Sequence, residues 1–230
     1  MSKNLPAADR RSVLRSAAVG LAGALFGAGA AGCTPGNTMP APVTPPQAST
    51  AEGRETGARV LLAYFSRAGE NYYYGGRRDL DVGNTEVLAG MISGLIGCDV
   101  HRIEAAVPYP DGYDATVARN VREQNEDSRP EIANPLQSID RYDTVLLASG
   151  IWNVRASMIM TTFTENHDFA GKTVYPIATY AVSGLGTIER DYAGSCLGAT
   201  LGEGLAVRGE EVGKSRPATE AWLRRTGLMA

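Results

Sequence analysis

Residues 59–65 read RVLLAYF and run straight into Ser66-Arg67-Ala68-Gly69-Glu70-Asn71; after a Tyr- and Gly-rich stretch the chain resumes as Gly83-Asn84-Thr85-Glu86. A short, nearly continuous apolar run is the pattern of a strand buried on both faces. The following segment, NTEVLAGMISGLIG over 84–97, places Val87, Met91 and Leu95 at helical spacing, with Asn84 or Thr85 able to cap its first turn. A strand, a loop rich in hydroxyl and amide groups, and a helix N-terminus together suit a phosphate. An Asn-Thr pair alone would more often be a cap. Its place behind the first strand, with Ser66 directly after that strand, favours phosphate.

Outward from this unit the chain alternates. Strands are expected over 99–104, 144–149 (TVLLAS), 173–179 (TVYPIAT) and within 199–207, and helices over 113–127, 158–167, 188–194 and 217–226. Pro176 predicts a bulge or local break in the fourth strand, because it has no N–H to donate. Five strands alternating with helices imply a parallel sheet covered on both faces. Ligands of such sheets sit at the carboxyl ends of the strands, where strand order reverses. Three loops arrive there, after Phe65, after Ser149 and after Thr179.

Here the chain resembles the flavodoxin family, whose phosphate loop reads Ser/Thr-x-Thr-Gly-Asn-Thr-Glu after the first strand. Ser66 and Gly83-Asn84-Thr85-Glu86 match its two ends, with an insertion between them. The resemblance extends over most of 59–227, through Tyr109-Pro110, Tyr113, Asp168-Phe169-Ala170-Gly171-Lys172-Thr173, Ser183-Gly184-Leu185-Gly186 and 203–209 (EGLAVRG). It implies a flavodoxin-like, doubly wound α/β fold with a five-stranded parallel sheet in the order 2-1-3-4-5, and bound FMN. The cofactor-binding residues it implies are Ser66, Arg67, Asn84 and Thr85 in the first loop, Trp152, Asn153 and Val154 in the second, and Tyr180, Ser183, Gly184 and Gly186 in the third. The second loop departs from the family's usual Gly-x-Pro-x-Trp-Trp-Gly-x-x-Pro, lacking the prolines, the second Trp and the second Gly. Trp152 has two readings of equal weight, a ring stacked on flavin or an aromatic at a loop edge. Arg155 likewise either faces the ring, raising its potential, or serves as a surface residue at a helix start.

The first 33 residues read as an export signal. Arg10-Arg11-Ser12-Val13-Leu14 resembles a twin-arginine signal, and the apolar run through Gly32 is too short and too rich in Gly and Ala for a span. Cys33 follows Ala30-Ala31-Gly32, which resembles a lipoprotein box with Ala in place of the usual Leu. The expectation is an extracytoplasmic, lipid-anchored protein, with ordinary signal cleavage the alternative. Residues 34–58, with Pro35, Pro40, Pro42, Pro45 and Pro46, lack the apolar side chains to offset ordering and read as a linker. Residues 59–230 form one domain.

Without the first 33 residues, 18 basic and 24 acidic residues remain, a net charge of −6, which argues against nucleic acid as a partner. Cys98 and Cys196, far apart, and two histidines give no metal spacing. A serine hydrolase is excluded: Ser183 lacks the Gly-x-Ser-x-Gly setting, and both histidines precede it. A nicotinamide-binding Rossmann domain fits poorly because the first loop lacks its glycine triplet. Three functions stand: an FMN oxidoreductase serving a small acceptor such as a quinone, a one-electron carrier serving a protein partner, and a binding module without FMN.

Overall fold

A computed structural model describes residues 59–230. The export-signal and linker readings, Cys33 included, lie outside these residues. The strands are β1 (Val60–Tyr64), β2 (Gly69–Tyr73), β3 (Gly76–Leu80), β4 (Asp99–Arg102), β5 (Thr144–Trp152), β6 (Arg155–Ala156), β7 (Thr173–Tyr180), β8 (Thr200–Leu201) and β9 (Leu205–Arg208). The helices are α1 (Asn84–Ser93), α2 (Tyr113–Asn125), α3 (Met158–Glu165), α4 (Ile188–Ser195) and α5 (Arg216–Arg225), with a 3-10 turn at Gly209–Lys214.

The main sheet runs β4-β1-β5-β7 and ends in β8 and β9, both parallel to β7. Counting β8 and β9 as one interrupted fifth strand, this is the 2-1-3-4-5 order of a doubly wound fold. The apolar runs explain it. Alternate residues of β1, β5 and β7 supply two cores: Leu61, Ala63, Val145, Leu147 and Val174 pack on the α3 and α4 side. Leu62, Tyr64, Leu146 and Ile177 pack beneath α1 and α5, with Trp222 completely buried. Cys196 belongs to the first core and Cys98 borders the second, so the two free thiols lie on opposite faces of the sheet.

Pro176 breaks the sheet, but not where expected. On the β5 side the register is continuous from Thr144↔Thr173 to Gly150↔Thr179, with Leu147↔Pro176 in step. The interruption is in the neighbour: β8 stops opposite Val174 and β9 resumes opposite Ile177. Val174 accepts from Gly202 on that side, so by alternation Pro176 faces the same neighbour, and its missing donor falls in the gap.

The insertion after β1 folds as an antiparallel hairpin, β2–β3, which the sequence reading leaves without regular structure. Its two-residue turn, Tyr74-Gly75, has φ of 46° and 87°, the positive pair that tight hairpins favour.

Candidate functional site

The α1 N-terminus is built by a close approach between two loops. Gly83 is the N-cap and offers no side chain, so the cap comes from across the chain: Ser66 Oγ accepts from the Glu86 amide at 3.1 Å. Asn84 and Thr85 are therefore not the caps predicted above; they occupy the first helical positions. A Cβ on Gly83 would fall 2.3 Å from Ser66 Oγ and 2.4 Å from the Arg67 carbonyl, so only glycine lets the loops meet. The Asn84 and Thr85 amides have no acceptor within the helix, because they open its first turn. The Thr85 hydroxyl is buried against that of Thr179 on β7, 2.7 Å away.

Beside this terminus lies a cleft of about 370 Å³ at the carboxyl ends of β1, β5 and β7, within the range of cofactor sites. Its floor includes Phe65, Ser66, Gly150, Thr179 and Tyr180, its far wall is α2, and the hairpin contributes Asn71 and Tyr72. Trp152 sits edge-on to Phe65 and Tyr109, with centroids 5.6 and 5.0 Å away, and still lines the cleft. It thus combines a core-edge aromatic with a face toward any ligand. Gln124 of α2 fixes the second loop, donating to the Trp152 carbonyl at 2.9 Å while its own carbonyl accepts from Asn153 at 3.0 Å.

Seven of the predicted residues line this one cleft: Ser66, Arg67, Asn84, Thr85, Trp152, Asn153 and Tyr180. Four do not. Val154 occupies the second position of the β5–β6 turn, half exposed, with φ of 66°, and its carbonyl accepts from the Thr187 amide at 2.7 Å. Ser183, Gly184 and Gly186 form the turn into α4, off the cleft. The need for glycine at 186 comes from Val154, whose carbonyl oxygen would lie 2.1 Å from an added Cβ, and not from the approach of a ring. Of the two readings of Arg155, the ring-facing one falls: its Nε lies 3.6 Å from Asp191 of α4, and it does not line the cleft. The expected rise in potential from a guanidinium facing a ring loses its basis.

Arg67 reaches the cleft with its terminal nitrogens already engaged. They donate to the carbonyls of Asp111 (2.8 Å), Pro110 (3.1 Å) and Glu70. Burial lowers its pKa, partly offset by the nearby carboxylates of Asp111 and Glu70. The anion-facing end of the cleft is therefore served by neutral donors and the helix terminus. Those groups suit the phosphate of a flavin nucleotide: two unclaimed amides, and a Ser66 hydroxyl whose proton is free because its oxygen is the acceptor in the cap.

The sequence reading missed the α2 wall, with Tyr113, Val117, Asn120 and Val121, together with Tyr72 of the hairpin and Gly209-Glu210 of the 3-10 turn. The spacing 113, 117, 121 is helical, and Val117 and Val121 remain exposed, which is the signal that could have marked this face.

The fold and cleft together define a doubly wound α/β protein with a ligand site at its strand-order reversal. Residues 79–225 match the profile of a family described as Flavodoxin, and the chain belongs to the flavodoxin family. Two solved structures are similar at higher identity. One, a protein assigned as a flavoprotein from Bacteroides eggerthii, is 26% identical with a TM-score of 0.59, covering 74% of this chain and 99% of that one. Another with the same assignment, from Bacteroides uniformis, is 27% identical with a TM-score of 0.58, covering 73% and 99%. A flavoprotein from Lactobacillus acidophilus, solved in complex with FMN, shares the fold at 15% identity and a TM-score of 0.50, covering 69% and 98%. No curated protein matches the chain.

Proposed function

We propose that this domain binds FMN and passes electrons or hydride to a small acceptor such as a quinone. One observation carries the reading: a single cleft joins the free amides of α1 at one end to a slot of aromatic and valine side chains at the other. Asn84 and Thr85 would hold the phosphate through their amides and Ser66 through its hydroxyl, with the positive end of α1 behind them. Trp152, Tyr72 and Tyr113 offer faces and edges to a flat ring, and Val117 and Val121 keep water from it. When bound, FMN supplies a ring that takes up electrons singly or in pairs and passes them on. The apolar α2 wall suits a flat organic acceptor better than a purely polar one, which favours oxidoreductase over carrier.

The absorbance spectrum of the purified protein and quenching of flavin fluorescence test the first half. Ser66→Ala should weaken FMN about tenfold through loss of a charge-assisted hydrogen bond. Quinone reduction by a nicotinamide donor tests the second half. Bound flavin without turnover would point to an electron carrier, and no bound flavin would leave a binding module.

We further propose export through the Arg10-Arg11 signal, with lipid attached at Cys33 and FMN acquired before translocation. Changing both arginines to Lys should leave folded, loaded precursor in the cytoplasm, and unchanged delivery would rule the signal out.

A further inference from the structure

The β2–β3 hairpin does not contribute to either core: β2 is half-buried throughout, and β3 is exposed from Gly76 to Asp79. Polar ties at two places hold it instead. Toward α2, the Glu70 amide donates to the Asp111 carbonyl at 2.8 Å, the Glu70 carboxylate accepts from the Tyr113 amide that opens the helix, and Arg77, opposite Tyr72, forms a forked pair with Asp114. At its tip, the Tyr74 amide donates to Glu210 Oε1 at 3.1 Å, on the 3-10 turn. Tyr113 and Glu210 both line the cleft, as does Tyr72 from the hairpin between them. The hairpin therefore bridges two walls of the site.

The tip contact is poised. Glu210 Oε2 is enclosed and has no hydrogen-bond partner. A shielded carboxylate oxygen without a donor is costly, and that cost offsets part of what the Tyr74 bond contributes. Closure without ligand is thus only weakly favoured, and contact between a ligand and Tyr72 adds to it.

We propose that the hairpin is a retaining strap over the binding cleft, with Tyr72 as a ligand contact and Glu210 as the latch. The ligand class is a flat aromatic ring with an anionic tail, which rests on the flavin nucleotide reading above. The strap acts mainly on how fast ligand leaves, since opening must precede release.

The test uses the full chain with FMN as probe. Loaded protein is diluted, and the recovery of free-flavin fluorescence gives the release rate. Glu210→Ala and Tyr72→Ala should each release FMN about tenfold faster, and Glu210→Gln, which keeps an acceptor for the Tyr74 amide, should stay within about twofold of the wild type. In parallel, trypsin cleavage after Arg77 and Arg78 is followed by mass spectrometry without flavin. Faster cleavage in Glu210→Ala, but not in Glu210→Gln, marks loss of the latch. Unchanged release together with unchanged cleavage in Glu210→Ala would overturn the proposal. If the wild-type protein binds no flavin, the functional reading fails, and the cleavage comparison alone still decides whether Glu210 latches the hairpin.

Discussion

Two walls of the same cleft are made in opposite ways. The α1 side is assembled from buried polar groups with fixed partners: Ser66 capping the helix, Gly83 wedged against it, Thr85 against Thr179. The hairpin side consists of half-buried and exposed residues tied by ion pairs and backbone bonds. A wall of the first kind fixes geometry, because any displacement leaves a buried donor or acceptor alone. A wall of the second kind can move at little cost, because water replaces what it loses. Substitutions in the two walls should therefore differ in size and in kind.

The largest effect is expected at Gly83. Gly83→Ala drives a methyl into the Arg67 backbone and Ser66, and should lower stability by about 2–3 kcal/mol in urea unfolding. A loss below about 0.5 kcal/mol would mean that the loops part easily and that the wall is not rigid. Next, Thr85→Val keeps the shape but strands the Thr179 hydroxyl, and should cost about 1–2 kcal/mol in the same assay. A control outside both walls comes third. Val154 is half exposed at φ of 66°, a conformation costly for a β-branched residue, so Val154→Gly should raise stability by about 1 kcal/mol.

The smallest effect belongs to the hairpin. Arg77→Ala should shift the melting temperature by no more than about 2 °C, and less in high salt. The Arg77 guanidinium holds the Asp114 carboxyl below its ordinary range. A depressed carboxylate supports the closed hairpin above its unfolded pKa and loses that support as pH falls through the folded one. Hairpin amides should therefore lose exchange protection below about pH 4, after correction for intrinsic rates, while α1 amides keep theirs. Equal loss in both would erase the distinction between the walls.

The same contrast explains what could be read from sequence. RVLLAYF, TVLLAS and TVYPIAT announce strands because both faces of each are buried, and burial writes itself into composition. Their alternation with helices gives a parallel sheet covered on both faces, while the strand order comes from the flavodoxin resemblance and not from the alternation. The hairpin was illegible because it has no apolar face; its only marks are the aromatic run 72–74 and the turn at Tyr74-Gly75. The α2 wall shows the proper spacing, yet nothing local says that Val117 and Val121 face a cleft. The resemblance places Gly186 among the cofactor-binding residues, and only tertiary structure shows that it makes room for the Val154 carbonyl. The two readings of Arg155 stay open in the sequence for a related reason, since its partner Asp191 lies 36 residues on, in α4.

The interruption opposite Pro176 also matters for how molecules meet one another. The outer margin of the sheet consists of two stubs, of 2 and 4 residues, separated by Gly202-Glu203-Gly204. Gly202 packs where the Tyr175 ring leaves no space for a side chain, and the Trp222 indole donates to the Glu203 carbonyl at 2.9 Å, so the break is held in place. The opposite margin, β4, is only 4 residues long and carries Asp99, His101 and Arg102. A second copy seeking a strand to extend finds no long ladder at either margin. Short, charged or broken borders of this kind keep parallel sheets from growing into aggregates at high local concentration.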